Sequence, residues 1–358
     1  MIDYVEFTLT TVREQSWYDV QKTVVESCGL KDKPWVVGPN AEEDYRGIEF
    51  RIRVQDPDVF SLAQRVRSVA ARFLGKITVR ELEVSVDFKP HDHTDETGQL
   101  MVGLMTLHYL PKDGMVKNED DSMRCVKETK GTAKGWTKRN VDWLDQRFVA
   151  PRDGSRRLYR DRLESYIKVD RTMRVGNEKA DEQIRIRHKE SNKRSGKSAF
   201  KLPHKERRAR IEATLSGKAL ADLGIVKPED LVSFDYLKLR KPYFDFALHT
   251  LPAYNGFRKP QVLDQMKAWQ ENQMLEVFLK IGVSACHRDM QRIVHRESFV
   301  RRKLKADGGL VHSLPPSRRH RGGRMNTLMS YTELHEPIET ALSYLKIKSS
   351  KPQPPAPV

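Results

Sequence analysis

The first ninety residues alternate between two kinds of hydrophobic pattern. Apolar residues recur at every second position in "VEFTL" (5–9), "GIEFRIRV" (47–54) and "VRELEVSVDF" (79–88), which predicts three strands. Between them, "WYDVQKTVVESCGL" (17–30) and "VFSLAQRVRSVAARFL" (59–74) have the spacing of amphipathic helices. Shorter strand patterns follow near 183–187 and 209–215. The expected fold is α+β, with a central, largely antiparallel sheet, helices packed on one face and a helical C-terminal region.

The chain divides into three regions. The first, over 1–250, contains the strand and helix patterns described above. A helical region follows over 251–305, where "FLKIGVSACHRDMQRIV" (278–294) fits either a helix-turn-helix or an ordinary helical hairpin. Residues 306–358 are basic and rich in proline, which predicts a flexible tail.

Charge narrows the range of partners. The chain has 358 residues, with 65 Lys and Arg against 49 Asp and Glu, a net charge of +16 and a pI near 9.6. This balance favours a polyanion, nucleic acid first, because counterion release drives such association. Three separated cysteines without a CxxC pair argue against a disulfide framework or a zinc ribbon. With no membrane-length apolar run and no signal-peptide pattern, we expect a cytoplasmic protein without membrane contact.

A row of acidic side chains occupies one face of the third strand. Leu82, Val84, Val86 and Phe88 alternate with Glu81, Glu83, Ser85 and Asp87. Carboxylates in such a row repel one another unless cations neutralise them, and their oxygen atoms suit Mg²⁺ or Mn²⁺. A solvated outer face of the sheet is the other interpretation of this pattern.

Positive charge concentrates between Arg185 and Arg210, with 11 Lys and Arg against two Glu. The run leads into "ARIEATL" (209–215), where Arg210, Glu212 and Thr214 share one strand face. Arg210 and Glu212 form either a structural ion pair or part of a catalytic site. "SGKS" (195–198) lacks the first glycine of a phosphate loop, which excludes that motif. His91, Asp92 and His93 fit a polar turn better than a metal site.

Three segments in this order resemble the replication-initiation proteins of rolling-circle plasmids and filamentous phages. "LEVSVDF" (82–88) looks like their acidic strand, "TMRVGNEKADEQIRIRHKE" (172–190) is similar to a stretch that contains tyrosines, and "ARIEATLSG" (209–217) resembles an Arg-x-Glu strand. The resemblance covers residues 1 to about 250 and implies that this region is a DNA-binding and nicking domain. It implies an endonuclease that nicks one strand at an origin with a tyrosine, remains joined to the 5′ phosphate and leaves a 3′ hydroxyl.

The resemblance also implies roles for individual residues. Glu83, Asp87 and Glu212 would hold Mg²⁺ or Mn²⁺, and Glu212 would also act in catalysis. Arg174 and Arg187 stand where the family pattern has tyrosine, so Tyr166 and then Tyr159 are the candidate nucleophiles. The expected DNA-binding residues belong to the basic run: Arg185, Arg187, Lys189, Lys193, Arg194, Lys197, Arg207, Arg208 and Arg210.

Double-stranded and single-stranded DNA at a replication origin are the expected partners, with a host helicase and a second copy of the chain as further candidates. A non-catalytic DNA-binding initiator or repressor is the alternative function. An RNA-binding protein is a third reading, although the sequence has no evident aromatic platform of the kind that RNA readers favour.

Overall fold

The computed structural model describes the sheet region and a C-terminal helix. The residues described are 1–28, 35–37, 45–112, 115, 124–126, 172–176, 180–193, 199–249, 278, 282–283 and 328–351.

An eight-stranded sheet in which all strand pairs are antiparallel forms the centre of the molecule. The described strands are β1 (Ile2–Ser16), β2 (Trp35–Val37), β3 (Arg46–Gln55), β4 (Lys76–Phe88), β5 (Arg124–Val126), β6 (Thr172–Val175), β7 (Glu182–Lys189), β8 (Ser191–Lys193), β9 (Ala199–Lys201), β10 (Arg208–Ser216), β11 (Ala247–His249) and β12 (Leu328–Ser330). The spatial order of the sheet is β2-β3-β1-β4-β10-β7-β6-β5, and two further two-stranded sheets, β8-β9 and β11-β12, lie outside it. The predicted strands near 5–9, 47–54, 79–88, 183–187 and 209–215 are all present.

The helices cover one face of this sheet, so the expected α+β fold is confirmed. Their buried residues join alternate strand residues such as Phe7, Leu82 and Ile211 in one hydrophobic cluster. The described helices are α1 (Trp17–Cys28), α2 (Val59–Arg72), α3 (Asp95–His108), α4 (Gly217–Asp222), α5 (Pro228–Ser233), α6 (Arg240–Tyr243) and α7 (Thr332–Ser349), with short 3₁₀ turns at His204–Glu206 and Tyr236–Leu239.

Two β-bulges between β1 and β4 change which residues reach the second face of the sheet. Ile2 lies opposite Val84 and Tyr4 lies opposite Glu83, so Asp3 is an extra residue in β1. On β4, Arg80 is the extra residue, because Glu6 pairs with Glu81 and Phe7 pairs with Val79. Each bulge shifts the alternation by one position and lets two successive side chains point to the same face. Asp3 and Tyr4 both reach the face away from the helices.

The C-terminal region differs from the expectation of a flexible tail over 306–358. Residues 332–349 form α7, whose side chains Leu334, Ile338, Leu342 and Leu345 are buried in the hydrophobic cluster. Their spacing of three and four residues is that of a helical stripe, which the basic and proline-rich composition of the surrounding sequence obscured. The predicted helical region over 251–305, including the candidate helix-turn-helix, lies outside the described residues apart from 278 and 282–283.

A tight contact joins α3 to the sheet. The ring of His188 on β7 packs against Gly98, where a Cβ atom would lie 2.4 Å from His188 Nε2. The His188 side chain is 5% exposed, so it has little room to retreat. Glycine at position 98 is therefore required by packing rather than by backbone conformation.

We predict that Gly98→Ala lowers the free energy of unfolding by about 1–3 kcal/mol, because the added methyl group overpacks the contact with His188. In a His188→Ala background the same change should instead raise stability by up to about 1 kcal/mol, since alanine is the better helix former. Urea denaturation of the four proteins measures both effects. Equal destabilisation in the two backgrounds would show that His188 is not what restricts position 98.

Candidate functional site

Charged side chains gather on the face of the sheet opposite the helices, which we call the polar face. Its centre is formed by β1, β4, β10 and β7, the four strands in the middle of the sheet. Four carboxylates and four guanidinium groups meet there, and several are buried. The residues are Asp3, Glu83, Asp87, Glu212, Arg185, Arg187, Arg208 and Arg210.

Three of these carboxylates form a compact group. Asp3, Glu83 and Glu212 each offer an oxygen atom, and these atoms all lie within 4.8 Å of one another. All three residues are buried, and they come from three adjacent strands, β1, β4 and β10. We call them the carboxylate cluster. Within the described part of the chain, no other group of three or more His, Cys, Asp or Glu residues meets this criterion.

Glu212 is neutralised from the neighbouring strand. Arg187 Nη2 donates to Glu212 Oε1 at 2.8 Å, and Arg185 Nε donates to Glu212 Oε2. Arg185 Nη2 also lies 3.6 Å from Glu83 Oε2. Arg185 is directly opposite Glu212 in the β7–β10 register, which explains how the positive run reaches this carboxylate.

Arg210 binds the carboxylates of both Asp3 and Asp87. Its guanidinium is fully buried and donates through Nε and Nη2 to both oxygens of Asp87, the second bond being 2.7 Å long. Its Nη1 donates to Asp3 Oδ2, while Ser85 Oγ donates to Asp3 Oδ1 at 2.9 Å. Arg208 Nε lies 3.0 Å from Asp87 Oδ2. Asp87 therefore belongs to the guanidinium network beside the cluster.

The two glutamates of the cluster have pKa values that are shifted in opposite directions by their surroundings. Burial and the nearby charge of Glu212 raise the pKa of Glu83 to about 7, although Arg185 opposes the shift. Burial also disfavours the charged form of Glu212, but Arg185 and Arg187 outweigh it and hold the pKa of Glu212 below its ordinary value. Thr214 Oγ1 donates to Glu83 Oε2 at 3.0 Å. Near neutral pH, Glu212 is ionised and Glu83 exchanges one proton.

Lys189 differs from the other cations of the polar face. It lies opposite Arg208 in the β7–β10 register, and within the described residues its side chain makes no hydrogen bond or ion pair. Burial, together with the charges of Arg210, Arg208 and Arg187, lowers the pKa of Lys189. Arg187 Nε is buried and has no hydrogen-bond partner among the described residues. An anion bound over β7 on the polar face would give both side chains a partner.

A cleft of about 290 Å³ opens beside the cluster on the polar face. Its lining includes Tyr4, Glu81, Glu83, Arg185 and Thr214. The phenol of Tyr4 donates to Glu81 Oε1, and Arg53 Cζ lies 4.3 Å from the centre of the Tyr4 ring. Burial and the charges of Glu83 and Glu81 raise the pKa of Tyr4, so its phenol is protonated at neutral pH.

The structure thus brings together Glu83, Glu212, Arg185, Arg187, Lys189, Arg208 and Arg210 from the predicted site, with Asp87 alongside. Arg207 lies elsewhere, since its guanidinium donates to Asp95 and, at 3.1 Å, to the carbonyl of Leu202. Tyr159, Tyr166, Arg194 and Lys197 lie outside the described residues, as does the side chain of Lys193.

Sequence reasoning missed Asp3 and Tyr4. Both precede Val5, where the regular alternation of β1 begins. The signal was the spacing of three between Ile2 and Val5, which breaks the period of two and marks the bulge at Asp3.

The His91-Asp92-His93 segment forms a turn before α3, as the polar pattern indicated. Asp92 Oδ2 accepts hydrogen bonds from the hydroxyls of Thr94 and Thr97, and His93 has a φ of 54°. Thr94 caps α3 by accepting from the backbone N–H of Thr97 at 3.3 Å. The acidic residue of this segment therefore supports the start of a helix.

A Ser/His/Asp group near α7 has the residue types of a hydrolase triad but not its proton arrangement. The backbone N–H of Phe246 donates to His335 Nε2 at 2.8 Å, so the ring proton resides on Nδ1 and is donated to Ser330 Oγ at 2.8 Å. Asp245 Oδ1 lies 3.2 Å from Nε2. Burial lowers the pKa of His335 to about 4. His335 cannot take a proton from Ser330 in this state, and the group is structural.

The carboxylate cluster has the donor chemistry of a site for Mg²⁺ or Mn²⁺. Its ligands are carboxylate oxygens alone, which these hard cations prefer. Burial and the charge of Glu212 disfavour the ionised form of Glu83 and raise its pKa, and a cation bound among the three carboxylates would favour that form. The residues present therefore fit a divalent cation.

Comparison with known proteins gives little further guidance. No protein-family model and no curated protein matches the chain. Among solved structures, it is similar to the rolling circle replication initiator protein from Geobacillus stearothermophilus, with 11% sequence identity and a TM-score of 0.30. That alignment covers 79% of this chain and 97% of the other. None of the described helices is both long and apolar enough to cross a membrane.

We predict that Glu83→Gln stabilises the protein at pH 8 by about 2 kcal/mol, because it removes a carboxylate that folding makes harder to ionise. The folded pKa of Glu83, about 7, lies above the unfolded value near 4.5. The wild type therefore loses stability as pH rises through this range, and the advantage of the variant should vanish as pH falls toward 4.5. Chemical denaturation at several pH values measures the difference.

Glu212→Gln is the matched comparison on the same face. It should lower the free energy of unfolding at pH 8 by about 3–5 kcal/mol, since it leaves Arg185 and Arg187 without their buried counter-charge. If both substitutions shifted stability in the same direction at pH 8, the assignment of protonation states within the cluster would be wrong.

Proposed function

We propose that this chain is a DNA replication initiator that binds an origin and cleaves one strand by metal-assisted phosphoryl transfer to a tyrosine. The observation that carries the proposal is the carboxylate cluster of Asp3, Glu83 and Glu212, set among basic side chains on the polar face. Carboxylates that bind a divalent cation beside cationic groups are the components that cleavage of a phosphodiester requires.

Asp3, Glu83 and Glu212 would hold Mg²⁺ or Mn²⁺, with Asp87 kept in place next to them by Arg210. The cation would supply polarisation of the scissile phosphate. Arg185 and Arg187 keep Glu212 ionised, and Thr214 orients Glu83 through its hydroxyl. Since Glu83 carries a proton part of the time near neutral pH, it must lose that proton to act as a ligand.

Basic side chains next to the cluster would position the DNA backbone. Lys189 and Arg208 stand opposite each other on β7 and β10, and within the described residues the Lys189 ammonium makes no direct ion pair, although the charges of Asp3 and Asp56 act on it. Contacts of this kind bind phosphates without reading the base sequence. They suit single-stranded and double-stranded DNA alike.

A non-catalytic DNA-binding initiator or repressor is the second candidate, and one observation favours it. Glu212 already pairs with two arginines and Asp3 with a third, so the cluster has part of its neutralisation without any metal. Under this hypothesis the polar face is an ion-pair network that stabilises the sheet, and the protein acts by binding DNA without cleaving it.

Mn²⁺ titration of the wild type and Glu83→Gln at pH 8 separates the two functions. The substitution removes the negative charge of one candidate metal ligand. We expect this variant to be more stable than the wild type, so unfolding cannot explain a loss of metal binding. We expect calorimetric Mn²⁺ binding and Mn²⁺-dependent nicking of supercoiled DNA from the protein's own replicon. Glu83→Gln should reduce both at least tenfold.

Glu96→Gln, on the exposed first turn of α3, serves as the control, because it removes an acidic side chain outside the polar face. Metal binding that is equal in all three proteins would exclude the cluster as the site. Tight DNA binding by the wild type, with neither metal binding nor a nick, would favour the non-catalytic initiator.

We predict that Lys189→Gln weakens DNA binding and reduces the slope of log K against log salt concentration by about 0.7–0.9, the loss of one phosphate contact. Protein stability should not fall, since Lys189 has no ion pair in the described structure to lose. Lys238→Gln, at an exposed site on the helix side of the sheet, should leave the slope unchanged. Fluorescence anisotropy across a salt series measures both. Identical slopes for the Lys189 variant and the wild type would remove this residue from the DNA-binding surface.

A further inference from the structure

Tyr4 occupies an unusual place on the polar face. The bulge at Asp3 turns both residues toward this face, so the phenol lies in the cleft directly across from Glu83 of the carboxylate cluster. Its hydroxyl donates to Glu81 Oε1, and the other contact of the ring is with Arg53, which also lies 3.2 Å from Glu81 Oε1. A hydroxyl nucleophile, a carboxylate acceptor for its proton and a candidate metal site thus adjoin one cleft.

The other described tyrosines lie away from the cleft and the carboxylate cluster. Tyr109, Tyr236 and Tyr243 are buried in the hydrophobic cluster. Tyr331 packs against the ring of His108 beside that cluster, and Tyr18, Tyr45 and Tyr344 are exposed and do not line the cleft. Among the tyrosines that the structure describes, Tyr4 alone lines the cleft next to the carboxylate cluster.

We propose that Tyr4 is the nucleophile that attacks the scissile phosphodiester and becomes joined to the 5′ phosphate of the cut strand. This inference rests on the proposed strand cleavage and gives it a specific residue. Glu81 acts as the general base through the hydrogen bond that it already accepts from the phenol, and Arg53 fixes the plane of the ring.

The step balances without any oxidant or reductant. The Tyr4 oxygen forms a bond to phosphorus as the bond from phosphorus to the 3′ oxygen breaks, and the phenolic proton passes to Glu81. The released 3′ oxygen takes a proton from water and becomes the free hydroxyl, and the hydroxide that remains removes the proton from Glu81. Because one phosphodiester replaces another, the reverse attack by the 3′ hydroxyl can rejoin the strand and release Tyr4.

The full-length protein is incubated with Mn²⁺ and a pool of single-stranded oligonucleotides of random sequence, labelled at the 3′ end. Attachment to the 5′ phosphate transfers the label to the protein, where it survives denaturing electrophoresis. Nuclease and protease digestion followed by mass spectrometry then identifies the modified tyrosine in the wild type. Tyr4→Phe keeps the ring and its contact with Arg53, and Tyr18→Phe is the exposed control.

We expect the nucleotide on Tyr4, with labelling reduced at least a hundredfold in Tyr4→Phe, unchanged in Tyr18→Phe, and Mn²⁺ affinity within twofold of the wild type in both. A nucleotide on Tyr159, Tyr166 or any other tyrosine would overturn the assignment of Tyr4 and leave the proposed strand cleavage standing. Cleavage without a covalent adduct would indicate water as the nucleophile and overturn the assignment as well. Neither adduct nor cleavage in the wild type would contradict both proposals.

Discussion

The buried guanidinium of Arg210 is the interaction on which the polar face depends. From β10 it reaches Asp87 on β4 and Asp3 on β1, so one side chain links three adjacent strands. A charge without exposure to solvent is tolerated only with such complete pairing. Removal of Arg210 would leave Asp87 with the guanidinium of Arg208 and Asp3 with the hydroxyl of Ser85, and the two carboxylates would lose the side chain that joins them.

The arginines also decide how charge is distributed within the carboxylate cluster. Arg185 and Arg187 on β7 hold Glu212 in its ionised form. Among the described residues, the polar partners of Glu83 are the more distant guanidinium of Arg185 and the hydroxyl of Thr214. Two carboxylates this close cannot both ionise freely without another cation. The sheet therefore supplies most of the positive charge that the cluster needs and leaves a deficit at Glu83. A divalent ion or a proton satisfies that deficit.

Much of the fold follows from hydrophobic periodicity, because the helices and strands of the first ninety residues are long and regular. The acidic face of β4 and the Arg-x-Glu face of β10 were likewise readable, since alternation fixes which side chains share a face. The arginine partners of Glu212 could not be predicted from the sequence. The register that places Arg185 opposite Glu212 comes from the pairing of strands whose residues are 27 positions apart. Asp3 and Tyr4 were not predicted as site residues, because a bulge interrupts the alternation on which the prediction relied. The stripe of α7 was hidden among basic and proline-rich residues.

The central claim is that the carboxylate cluster is a divalent-cation site, and crystallography with Mn²⁺ tests it most directly. Crystals of the full chain grown with Mn²⁺ should show an anomalous difference peak at bonding distance from oxygens of Asp3, Glu83 and Glu212. Crystals grown without the ion should lack that peak. Full density for the ion pairs of Glu212 and Asp3 with their arginines, and no anomalous peak at saturating Mn²⁺, would contradict the account and identify the polar face as a structural ion-pair network.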